Sequence, residues 1–155
     1  APLPHKSLLL HSSYGTGKTG LAIGYAYACL LVLDIHTLRF VGAPQMLAEL
    51  RDTYNHPSHT ETLTEQEVVA RYARCGLLIL DDLGAENVRN TGWLEDRLYQ
   101  IIGERHDEKR PTVFTSNLSL DELGGKIGER VTWRIKEMVG AENIINMNGM
   151  PNLRA

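Results

Sequence analysis

Ser12-Ser13-Tyr14-Gly15-Thr16-Gly17-Lys18-Thr19 lies between an apolar segment, Ser7 to Ser12, and a run of small and apolar residues from Lys18 to about Leu31. The first segment reads as a strand and the second as a helix, so the octapeptide is a strand-to-helix loop with the spacing of a phosphate-binding loop. Gly15 and Gly17 let successive backbone N–H groups turn inward around a polyphosphate, where the start of the helix adds a favourable dipole. Lys18 is placed to reach the β- and γ-phosphates, and Thr19 to put its hydroxyl on Mg²⁺. Ser13, Tyr14, Gly15, Thr16, Gly17, Lys18, Thr19 and Gly20 are therefore the candidate ATP/ADP-binding residues. The usual pattern begins with glycine. Here that position is Ser12, which is expected to narrow the loop and to weaken or slow nucleotide use.

Around this loop, short apolar runs alternate with helical patterns, the signature of crossover units on a parallel sheet and of an α/β fold. The helix from Lys18 carries small and apolar residues on every face and is expected to be well buried. A strand at Leu38 to Ala43, a helix opened by Pro44 and a polar loop from Asn55 to Leu63 come next. Thr64 and Glu67 form a capping box that starts a short helix leading to the strand Leu77 to Leu80. An amphipathic helix is predicted from about Gly92 to Asp107, with Trp93, Leu94, Leu98, Ile101 and Ile102 inward. The strand Thr112 to Ser116 follows, then a second capping box, Ser119 with Glu122. The next helix should break around Gly124, Gly125 and Gly128, and a strand at Ile144 to Met147 completes the sheet.

Leu77-Leu78-Ile79-Leu80-Asp81-Asp82 is an apolar strand ending in two carboxylates, a Walker B pattern. Asp81 would hold the Thr19-bound Mg²⁺ through water, and Asp82 would orient or deprotonate the attacking water. Glutamate is commoner at the second position because its arm is longer, so hydrolysis is expected to be slow or partner-dependent. Asn117, just past the strand Thr112 to Ser116, is a candidate sensor of the γ-phosphate or the lytic water; a turn-forming asparagine before Ser119 is the competing reading. Arg130 and Arg134 stand four apart on one helical face. Either could meet a neighbouring subunit's γ-phosphate and make hydrolysis depend on self-association, against the alternative of intrahelical pairing with Glu129 or Glu137.

The 155 residues are 43% hydrophobic and 23% charged, which suits one compact domain over 1–155. No apolar run approaches the ~18 residues of a membrane-spanning helix, so a soluble, cytoplasmic chain with no membrane contact is expected. Cys29 and Cys75 match no metal or redox spacing and read as reduced core thiols. A net charge of −3 argues against a uniformly basic nucleic-acid binder. His56 and His59 have no acid or thiol at zinc-ligand spacing, and His5, His11, His36 and His106 are scattered without an assigned role.

Four segments together, Gly15-Thr16-Gly17-Lys18-Thr19, Leu78 to Glu86, Thr115-Ser116-Asn117-Leu118 and Gly128 to Arg134, resemble the DnaC/DnaI helicase loaders and the related IstB transposition ATPases. The resemblance runs from Leu8 to Arg154. It implies a P-loop NTPase of the AAA+ type, a three-layer sandwich on a five-stranded parallel sheet ordered 5-1-4-3-2, without a helical lid. It implies that Asn117 is the first sensor and Arg134 the trans arginine, with Arg130 second. It also implies ATP-dependent placement of a hexameric replicative DNA helicase on single-stranded DNA. Trp93 would then suit base stacking, Arg89 and Arg97 phosphate contacts, and Arg154 a second sensor. An amphipathic-helix tryptophan that simply packs is the competing reading of Trp93. Loaders grip the helicase through a region preceding the ATPase domain, so the chain is expected to be a domain of a longer protein. A transposition helper, and a nucleotide-gated module that scarcely hydrolyses ATP, are the alternative functions.

Overall fold

In the computed structural model, residues 6–32, 35–55, 63–85 and 91–151 are described. Five strands, β1 (Leu8–His11), β2 (Leu38–Gly42), β3 (Leu77–Asp81), β4 (Thr112–Ser116) and β5 (Ile144–Asn146), form one sheet in the order β2-β3-β4-β1-β5. All four pairings are parallel. This is the expected 5-1-4-3-2 order read from the other edge, and it seats β4 between the strands that end in the P-loop and in Asp81. The helices are α1 (Lys18–Val32), α2 (Ala43–Asn55), α3 (Glu65–Arg74), α4 (Thr91–Asp107), α5 (Leu120–Ile127) and α6 (Glu129–Val139). None of the described helices is long and apolar enough to cross a membrane.

The sheet separates two cores. On one face Leu9, Leu78, Leu80 and Phe114 meet Leu47 of α2, Val69 of α3, Leu98 and Ile102 of α4, Leu123 of α5 and Ile135 of α6. On the other, Leu8, Leu10, Leu77, Ile79 and Val113 meet Ala22, Ala26 and Cys29 of α1. The period-2 alternation along β1 and β3 assigns each residue its face. Among the described residues α1 is the sole helix in that second cluster, which corrects the expectation that it is well buried. Lys18, Ala22, Ala26 and Cys29 are buried, whereas Leu21, Ile23, Tyr27, Leu31 and Val32 are exposed. A single helix on a sheet buries one stripe, whatever the composition of its outer side.

Helix starts follow local chemistry. Thr64 Oγ1 accepts from the Glu67 N–H at 3.2 Å while Glu67 Oε2 accepts from the Thr64 N–H at 2.7 Å, which completes the first capping box. The second is only half formed: Ser119 Oγ accepts from the Glu122 N–H, but the Glu122 carboxylate accepts from the Ser119 hydroxyl instead of its backbone N–H. The expected break falls at Gly128, with φ 99°, while Gly124 and Gly125 remain helical within α5. Gly128 is required there, since a side chain rarely adopts that φ.

Arg105 of α4 is completely buried. It donates to the carbonyls of Tyr72, Cys75 and Pro111 at 3.0, 2.7 and 2.8 Å and to Thr112 Oγ1 at 2.7 Å. The carbonyls at the end of α3, which lack intrahelical partners, are thereby satisfied, and α3 is tied to the start of β4. Burial pulls the guanidinium down to about 10. Cys29 and Cys75 are buried thiols that form no disulfide, and burial raises both.

Candidate functional site

The carboxyl ends of β1, β3 and β4 open into one cleft, where ligands of open parallel sheets bind. It is lined by Tyr14, Gly15, Thr16, Gly17, Lys18, Thr19 and Gly20 from the loop, and by Asp81, Asp82, Thr115 and Asn117. Every expected lining residue of the loop except Ser13 therefore faces the same space. Gly15 and Gly17 have φ of 81° and 82°, the left-handed conformation that turns backbone N–H groups toward a common point. Lys18 is buried at the base of the loop, and its Nζ donates to the Ser12 carbonyl, Ser12 Oγ and the Ser13 carbonyl at 3.2, 3.2 and 3.0 Å.

Thr19 Oγ1 donates to Asp81 Oδ1 at 2.9 Å, joining the first turn of α1 to the end of β3. Thr115 Oγ1 also donates to Asp81 Oδ1, at 2.6 Å, and accepts from the Asp82 N–H at 2.8 Å. One hydroxyl of β4 thus sets both acids. Asp82 itself has φ 58°, unusual for a residue with a side chain, and its Oδ1 accepts from Asn117 Nδ2 at 3.3 Å. Ser116 Oγ donates to the Leu83 carbonyl at 2.6 Å and accepts from the Leu118 N–H, so the turn after β3 and the turn after β4 are stitched together.

The donor set suits a hard divalent cation held jointly by protein and polyphosphate. Thr19 and Asp81 supply two oxygens side by side, and no group of three or more His, Cys, Asp or Glu side chains forms a self-sufficient metal site among the described residues. Mg²⁺ characteristically takes one or two protein oxygens and completes its shell with phosphate and water.

Arg130 and Arg134 do not line this cleft. Arg130 bridges to Glu95 and Asp96 of α4 at 3.0 and 2.8 Å and lies over the Tyr99 ring. Arg134 donates to the Tyr99 hydroxyl at 3.0 Å and contacts His106 Nδ1 at 3.2 Å, with Asp107 at 3.7 Å and Glu137 at 3.9 Å. Most of their partners therefore lie across the α4–α6 contact, and the intrahelical alternative is realised only by the loose Arg134–Glu137 pair. Trp93 is half-buried, edge-on to Tyr54 and under the Arg51 guanidinium, and Arg97 pairs with Glu65 at 2.9 Å. Arg89, Arg154, His5, His56 and His59 lie outside the described residues.

Two contributors escaped the motif reading. Thr115 carries a signal that was available, a hydroxyl at the cleft end of an otherwise core strand. Asn148 carries none: its Oδ1 accepts from the Ser13 N–H at 3.0 Å and from Ser13 Oγ at 3.3 Å, from a position 135 residues away.

Comparison with known proteins agrees with this geometry. The model of the family described as IstB-like ATP binding protein matches residues 4–133. The replicative helicase loader DnaI of Bacillus subtilis is 30% identical over 119 residues, covering 76% of this chain and 35% of that protein. The replicative helicase loader DnaC of Escherichia coli K12 is 24% identical over 130 residues, covering 84% of this chain and 50% of that protein. The chain thus spans half or less of the length of these relatives. A crystal structure of the DnaC helicase loader superposes with a TM-score of 0.72 at 25% identity, over 94% of this chain and 80% of that one.

Proposed function

Since the chain belongs to the IstB-like ATP-binding protein family, we propose that it is an ATPase domain of the helicase-loader kind, binding ATP with Mg²⁺ in the cleft of the P-loop. The observation that carries this reading is the Thr19–Asp81 hydrogen bond with Asp82 and Asn117 in the same cleft. The N–H groups of the loop and Lys18 would hold the polyphosphate, Thr19 and Asp81 the cation. Asp82 would orient water or take its proton, with Asn117 fixing the carboxylate and reading the terminal phosphate. The cation's contribution would be charge neutralisation on the phosphates.

Arg134, or Arg130 one turn before it, would approach the cleft of a second copy and make turnover depend on assembly. Arg130 supports this use by its 54% side-chain exposure, against 25% for Arg134. By analogy with relatives named as replicative helicase loaders, the partners would be a replicative helicase and single-stranded DNA, with Trp93, Arg97 and Arg89 as candidate DNA contacts. A second reading, a transposition helper with the same ATPase chemistry, is favoured by the family description.

The test is Mg²⁺-dependent ATP turnover with and without single-stranded DNA, with Lys18→Ala as control. Turnover raised by DNA and abolished in the control is expected; turnover that survives Lys18→Ala would remove the site assignment.

A further inference from the structure

The glycine that usually opens a phosphate loop is replaced by Ser12, and the hydroxyl so introduced sits where it acts on the lysine. Ser12 is 2% exposed, and its Oγ accepts from Lys18 Nζ at 3.2 Å. The carbonyls of Ser12 and Ser13, which also accept from it, would be offered by any residue. The same hydroxyl bonds to the Ser13 carbonyl at 3.0 Å and to Thr16 Oγ1. A closed ring of Ser12, Ser13, Thr16 and Lys18 results. Asn148 fixes its outer limb by accepting from both the N–H and the hydroxyl of Ser13, and is itself tied to Asn146 by a 2.9 Å bond.

Resting on the nucleotide reading above, we propose that the Ser12 hydroxyl is a latch on Lys18, a positioning residue that lowers nucleotide affinity by competing with phosphate for the lysine. A bond from an ammonium to an acceptor is strong where water is excluded, and Ser12, Thr16 and Lys18 are all buried. Phosphate oxygens that recruit Lys18 must displace it from that acceptor. Glycine at this position would remove that side-chain acceptor while keeping the two carbonyls, so the serine tunes the loop toward weaker capture. The nucleotide threshold of this chain would thereby be set inside the loop.

Two measurements on the full chain test this: the affinity for a fluorescent ADP with Mg²⁺, and the rate at which acetic anhydride labels Lys18 without nucleotide, read by mass spectrometry. Ser12→Ala and Ser12→Gly are each expected to bind roughly 3- to 10-fold more tightly, the size of one charge-assisted bond exchanged for another. Both should also label at Lys18 several-fold faster, Ser12→Ala as much as Ser12→Gly, because alanine removes the hydroxyl while keeping a side-chain carbon and a restricted backbone at this buried position. Affinity unchanged within twofold, weaker binding, or equal labelling rates would overturn the latch. Binding by none of the three proteins would instead overturn the nucleotide reading on which the latch rests.

Discussion

Thr19 and Asp81 lie 62 positions apart in the chain yet share a 2.9 Å hydrogen bond across the mouth of the cleft. That contact places two hard oxygens beside the loop, on a strand end and a helix start, where the proposed divalent ion would draw on both. Thr19→Ala and Asp81→Asn are expected to fold normally but to lose most of the difference in nucleotide affinity between Mg²⁺ and EDTA. Titration in the two buffers checks it. A full Mg²⁺ effect in Asp81→Asn would exclude the pair as the cation site.

Thr115→Val keeps the shape of a fully buried side chain and removes its hydroxyl. The Asp82 N–H loses its acceptor and Asp81 a donor. The Asp82 N–H is part-buried at the cleft, so the cost should fall at the lower end of the ~1–3 kcal/mol of an unpaired buried donor, and urea melts should show a loss of about 1 kcal/mol. Turnover should fall as well, because both acids lose their support.

Asn117→Ala removes the side-chain amide that donates to the Asp82 carboxylate at the cleft. Nucleotide affinity is expected to stay within about threefold while turnover drops roughly 100-fold, the range of general acid–base contributions. Steady-state kinetics alongside the binding titration separates the two. A matched fall in affinity would make Asn117 a binding residue instead.

Arg105→Met would strip donors from the carbonyls of Tyr72, Cys75 and Pro111 at once. A loss of about 3 kcal/mol or more is expected, lowering Tm by about 6 to 12 °C for a chain of this size. Nucleotide affinity of the protein still folded should be unchanged, since Arg105 is remote from the cleft lining.

His11, at the end of β1, is held below its ordinary value of 6.5 by burial; Lys18 adds to that effect and Glu122 opposes it. The unfolded chain then binds the proton more readily than the folded one. Stability is therefore expected to be flat above pH 6.5 and to fall as pH drops from there toward the folded value. His11→Gln should flatten that part of a melt-versus-pH profile.

Legibility from sequence followed the range of the interactions. The P-loop, the Asp81–Asp82 strand end and the Asn117 turn are set by contiguous residues, and the structure brings all three to one cleft. The Thr64 box was equally local and formed in full. Ser119 shows the limit, because Glu122 had two nearby partners and the spacing alone cannot choose the hydroxyl over the backbone N–H. The exposed side of α1 is not legible in the sequence, because Leu21, Ile23, Tyr27 and Leu31 carry no charge and composition cannot tell how many helices share a sheet face. Asn148 and Arg105 act on backbone groups 135 and about 30 residues away, and backbone groups leave no mark in a sequence.

The most direct test of the central claim is a titration of the chain with ATP, with and without Mg²⁺, beside Lys18→Ala. One nucleotide per chain, tightened by Mg²⁺ and lost in Lys18→Ala, is predicted. Absence of binding, or binding that Lys18→Ala leaves intact, would contradict the account.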